Sequence, residues 1–264
     1  MEMIRLWWLL LLVLAKGACA EVVVFESTET PPFWSASLPE DGDAGRLLGI
    51  LSRAAGIAYS IEYVPVKRFT RSHASCIVGT PDVLADPGGR AIFPIAVFNS
   101  AFFFYRPHHD VIESGSLANF RGHTMGVLRG TLEDKAGFER NGIRIEESDS
   151  IDSLLRKLRR GRIDFSILIE ASGRYDIDRL FPGEVGHFAT VEIPGTARPI
   201  AVMIDKTSPQ GRAIAARYRK VLDGVIRGPA YRDALARIYG AGRVETVLRQ
   251  IDRFVGEYRN TWGE

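Results

Sequence analysis

The segment Gly126-Val127-Leu128-Arg129-Gly130-Thr131 joins a strand-like apolar run to a glycine turn and the start of a short helical pattern. Such a junction presents free backbone N–H groups and the positive end of a helix, and both suit a carboxylate. Thr131 can meet that ligand beside Arg129 and Gly130, or it can cap its own helix with Asp134 as the acid three residues later. Phe33 and Trp34, which follow Pro31-Pro32, can form an aromatic wall against an apolar or cationic group, or can pack a proline-rich loop onto the protein.

Reactive chemistry is harder to assemble. The five histidines, His73, His108, His109, His123 and His187, lack metal-ligand spacing. His108-His109-Asp110 lies in a polar turn, where adjacent side chains point in different directions. The glycine turn has no P-loop lysine, and no G-x-S-x-G elbow exists. Cys76, between Ser75 and Ile77, fits a small buried apolar side chain better than a nucleophile. The expectation is a binding protein, not an enzyme, without cofactor or metal.

These groups need elements to hold them. Residues 21–25 predict a buried strand, 47–54 an amphipathic helix stopped by Gly56, and 57–64 a second strand ended by Pro65. That β-α-β order implies a parallel pair with a helical crossover. A strand follows at 102–105, then the polar turn at 107–110. A second unit then has strands at 124–128, 143–145 and 164–169, a short helix to about Asn141, and a helix carrying Ile151, Leu154, Leu155 and Leu158 behind a cap at Asp149 or Ser150. Beyond Pro194-Gly195 and Pro199 the pattern gives a strand at 200–204 and helices starting near Ser208, Pro229 and Arg243. The economical topology has two α/β lobes with a ligand cleft between them. Residues 21–106 and 199–264 form a discontinuous first lobe, and 107–198 an inserted second.

The chain has 264 residues, with 34 Lys and Arg against 32 Asp and Glu. An ordinary 25% charged and 10% aromatic content, without repeats, excludes disorder, collagen and coiled coil. Mixed charge signs argue against a nucleic-acid partner, since the densest basic run, 156–162, sits on a helix that solvent can cover. Residues 1–20 are expected to be an export signal: Arg5 precedes the apolar run 6–15, and Ala18-Cys19-Ala20 predicts cleavage after Ala20. That run is about half of the roughly 20 residues a membrane span needs, and Lys16 is a poor flank for lipidation of Cys19. Cleavage would leave Cys76 as the sole cysteine of a chain in the oxidising periplasm.

Four segments carry a family resemblance. Pro31-Pro32-Phe33-Trp34 resembles the early loop of bacterial extracellular solute-binding proteins of family 3, and Val64-Pro65-Val66-Lys67-Arg68 resembles their strand-to-helix segment. Residues 117–131 resemble the family's L-x-x-L-x-G-x-x-I-G-V-x-x-G-T signature, and 158–164 its L-x-x-G-r-v-D segment. The resemblance implies the type 2 periplasmic-binding fold: two lobes, each a mixed sheet flanked by helices, closing about a two-strand hinge on a small polar solute, commonly an amino acid. Tyr105 and Arg106 would lie at that hinge, with Tyr105 lining the cleft floor. Arg90 falls where the family places the arginine that grips a ligand carboxylate, a role suited to a guanidinium fork. Amino-acid binders of the family carry an acid five residues after the position of Asp164. Here that position is Ile169, and Glu170 comes one residue later, on the other face of a strand.

The expected protein is therefore a monomeric periplasmic receptor for an amino acid or other small carboxylate, handing it to an ABC permease in the inner membrane. Its expected ligand residues are Phe33, Trp34, Arg90, Tyr105, Arg129, Gly130, Thr131 and Glu170. Two alternatives stay open: a periplasmic sensor acting on a membrane receptor, and an exported lyase or dehydratase on the same fold, which would need a carboxylate or histidine poised in the cleft.

Overall fold

The structure, a computed structural model, describes residues 22–263 apart from 87, 114, 115 and 133. The expected export signal and its cleavage point lie outside the described residues. The first lobe opens with β1 (Val23–Ser27), α1 (Asp43–Ala55), β2 (Tyr59–Tyr63), the short α2 (Val66–Phe69), β3 (Cys76–Gly79) and β4 (Arg90–Phe98). The second lobe holds β5 (Ser100–Tyr105), β6 (Thr124–Leu128), α3 (Lys135–Arg140), β7 (Arg144–Ser148), α4 (Ile151–Arg159), β8 (Phe165–Ile169), α5 (Glu170–Leu180) and β9 (Phe188–Glu192). The chain returns as β10 (Arg198–Asp205) and finishes with α6 (Pro209–Ile226), α7 (Pro229–Tyr239) and α8 (Val244–Tyr258).

Both lobes follow one plan. The first sheet has the order β2-β1-β3-β10-β4 and the second β7-β6-β8-β5-β9, five strands each. β1 lies parallel to β2 and β3, while β10 runs antiparallel to β3 and β4. β6 likewise lies parallel to β7 and β8, with β5 antiparallel to β8 and β9. The carboxyl ends of the parallel strands in both sheets thus face the place where the chain passes between lobes, the usual ligand position for open α/β sheets.

Apolar periodicity explains the packing. Leu47, Leu48 and Leu51 of α1 are fully buried against the first sheet with Tyr218, Leu222 and Ile226 of α6. Gly56 closes α1 in the left-handed conformation (φ 63°) that only glycine adopts without strain. In the second lobe β5 is buried on both faces: Ala101, Phe103 and Tyr105 pack towards Leu154, Leu155 and Leu158, whereas Phe102 and Phe104 pack towards Phe120 and Phe165. Gly126 lets α4 approach the sheet, since a Cβ there would stand 2.3 Å from Ile163 and 2.6 Å from Leu154. Among the described residues no helix is long and apolar enough to cross a membrane.

The crossing between sheets differs from expectation. Phe98 still pairs with Arg198 in the first sheet, and Ser100 already pairs with Ile169 in the second, so the outward crossing is at Asn99. β5 therefore belongs to the second sheet, and Tyr105 and Arg106 are not at the crossing. The polar turn at 107–110 marks where β5 reaches solvent at its far end. The return crossing is at residues 193–197, and the two are tied together: the Ser100 backbone N–H donates to Thr196 Oγ1 at 3.0 Å, and Thr196 Oγ1 donates to Ile193 O at 2.7 Å.

Candidate ligand cleft

The strand ends converge on a cavity of about 300 Å³ between the lobes. Thr30, in the loop after β1, lines it from the first lobe. From the second lobe come Ser100 at the start of β5, Leu128, Thr131 and Leu132 after β6, Ile151 at the start of α4, Ile167 to Ile169 on β8, and Ser172 on α5. Most of them sit at or just beyond a strand end, while Ile167 and Leu168 lie within β8 and pair with β5.

Hydroxyl groups rim this cavity, and they are largely engaged. Thr131 Oγ1 donates to Leu128 O at 2.8 Å, Thr30 Oγ1 to Thr28 O at 3.0 Å, and Ser172 Oγ to Pro31 O at 2.9 Å. The last of these joins the lobes. A second inter-lobe space of about 270 Å³ is lined by Phe33, Asn99, Glu170, Arg174, Tyr239 and Arg243, among others. There Arg243, from the turn before α8, reaches Glu170 Oε2 at 3.6 Å and Glu192 Oε2 at 3.3 Å in the other lobe.

Of the expected ligand residues, Thr131 alone lines the first cavity. It does not cap α3: the cap is Asp134, whose Oδ1 accepts from the Gly137 N–H at 2.8 Å, so the helix starts beyond the glycine turn. Gly130 takes a positive φ (77°) in that turn. Arg129 turns outward and binds Asp149 at 2.7 Å and Glu147 at 2.8 Å. Hydrogen bonding to Arg129 holds the Asp149 carboxyl below its usual range. Phe33 and Glu170 line the second space, where Glu170 also binds Arg174 at 3.1 Å. Trp34 is buried in the first lobe's core, and its Nε1 finds no partner among the described residues.

Arg90 and Tyr105 stand away from the cleft. Arg90 begins β4, the end opposite the crossing, and pairs in register with Asp205; its Nη1 donates to Ala74 O at 2.8 Å. Burial lowers its pKa, and the Asp205 carboxylate opposes that shift. The carboxylate grip expected of Arg90 is thus absent from the cleft, because β4 carries the residue a full strand length from the crossing. Tyr105 ends β5, roughly 17 Å from Ser100 at about 3.3 Å per residue. Its hydroxyl donates to Glu184 Oε2 at 2.7 Å. The remaining lining residues are mainly aliphatic, and Leu168 is itself part of the second lobe's core.

The paired sheets, their common strand order and the double crossing decide the fold. The chain has the two-lobed periplasmic-binding fold. Similar solved structures include the GluR0 ligand-binding core in complex with L-glutamate (12% identity, TM-score 0.59, covering 84% of this chain and 100% of that one). A histidine kinase sensor domain with similarity to periplasmic binding proteins aligns at 12% identity and TM-score 0.60, over 83% of this chain and 96% of that one. The arginine-, lysine-, histidine-binding protein ArtJ from Geobacillus stearothermophilus aligns at 14% identity and TM-score 0.57, over 85% and 100%. No protein-family model and no curated protein matches the chain.

Proposed function

We propose that this chain is a periplasmic solute-binding receptor that holds a small solute between its lobes and delivers it to an ABC importer. The carrying observation is the cavity at the strand ends of the second sheet, lined also by Thr30 from the loop after β1 and by Ser100, next to the outward crossing. A space of about 300 Å³ accommodates a molecule of amino-acid size. The reading is supported by a fold neighbour described as the substrate-binding protein of an amino acid ABC transporter, and by the export signal expected at residues 1–20.

Native mass spectrometry of the exported protein, followed by a thermal-shift panel of amino acids, amines and organic acids, tests binding. One solute should bind one to one and raise the melting temperature, and cells lacking the protein should lose uptake of that solute. Absence of any stabilising solute, or conversion of a solute to product, would refute the receptor reading. Intact uptake with loss of a transcriptional response would favour the sensory alternative.

A further inference from the structure

The walls of the cleft describe what they enclose. Every described side chain lining the cavity is uncharged, and six of them, Leu128, Leu132, Ile151, Ile167, Leu168 and Ile169, are branched aliphatic residues arriving from four separate elements and loops. Nearby charges are already paired with one another: Arg129 with Asp149 and Glu147, Glu170 with Arg174 and Arg243. The Thr30, Thr131 and Ser172 hydroxyls donate to backbone carbonyls, so their protons are engaged within the protein. A carboxylate or guanidinium enclosed here would lose its hydration without gaining a counter-ion, an arrangement that proteins avoid. An aliphatic group would instead meet matching surface on several sides.

We infer that the part of the solute enclosed between the lobes is an uncharged, branched aliphatic group, with Ile151 and Ile169 as specificity-determining residues. This rests on the solute-binding reading above and names the class of solute. It sets the chain apart from the arginine-, lysine- and histidine-binding protein with which it shares a fold.

Isothermal titration calorimetry of the exported protein with leucine, isoleucine, isovaleramide, glutamate, arginine and histidine tests it. At least one of the first three should bind about tenfold or more tightly than any of the last three. Ile151→Ala should weaken that aliphatic solute by roughly three- to tenfold through loss of apolar contact. Ile151→Asp places an acid in the first turn of α4, where the helix dipole tolerates it, and should weaken the aliphatic solute further, by about tenfold or more. Tightest binding of glutamate, arginine or histidine would overturn this inference and leave the receptor reading standing. Aliphatic binding unchanged in both Ile151 variants would also overturn it. Failure of all six to bind, with no copurified solute, would overturn both.

Discussion

Arg243→Ala should shift the two lobes towards a more open arrangement. Arg243 is 42% exposed and contacts Glu170 (16% exposed) at 3.6 Å and Glu192 (49% exposed) at 3.3 Å, both across the gap. Partly exposed pairs contribute about 0.2–1 kcal/mol each, and the sheltered Glu170 puts its pair near the upper end. Together they favour the closed arrangement by about 1–1.5 kcal/mol, a factor of roughly 5–12 in the open–closed equilibrium. Glu170 keeps Arg174 as a partner, so the variant leaves no bare buried charge. Small-angle X-ray scattering in low salt should report a larger radius of gyration for the variant than for the wild type. At about 1 M salt, where the Debye length is about 3 Å, the difference should shrink as the wild type opens too. Identical scattering of the two proteins in low salt would refute the reasoning, as would a difference that grows with salt.

Two further outcomes concern the lobes themselves. Burial pushes the Cys76 thiol up to about 11, against the opposing influence of Arg90, so alkylation at pH 8 should be negligible in the folded protein and fast in denaturant. Glu184 is held down at about 2 by hydrogen bonds from Arg159 and Tyr105, against an ordinary value of 4.5. Because the folded-state value is depressed, its stabilising contribution is complete above about pH 4.5 and is lost as pH falls towards about 2. Acid unfolding of Glu184→Gln should accordingly show a shallower loss of stability across that window than the wild type; parallel curves would contradict the pairing.

Much of the fold was legible because local rules and tertiary structure agree. Ser208, Arg243 and Gly56 coincide with observed caps, and Pro229 is the first residue of its helix, behind a cap at Gly228. The misses have physical causes. β4 runs through Pro94, which reads as a strand breaker, but β4 is an edge strand and tolerates a residue without an N–H. β3 has only four residues, all buried, too short a run to show periodicity. The crossing at Asn99 carries no proline or glycine, whereas the polar turn at 107–110, which looked like a boundary, lies at a strand end. The cleft was the least legible part. Ile151, Ile167 and Ile169 have the composition of core residues, and only the three-dimensional placement of strand ends reveals that they border a cavity.

The tie between Ser100 and Thr196 also bears on modularity. It places the two ends of the inserted lobe side by side, while Phe98 and Arg198 remain direct partners in the first sheet. A two-residue hairpin turn between those partners is enough to close the first lobe without its insert. The second lobe is thus attached as a cassette, one that recombination could exchange whole, replacing most of the cavity wall while leaving the other half of the molecule covalently and topologically intact.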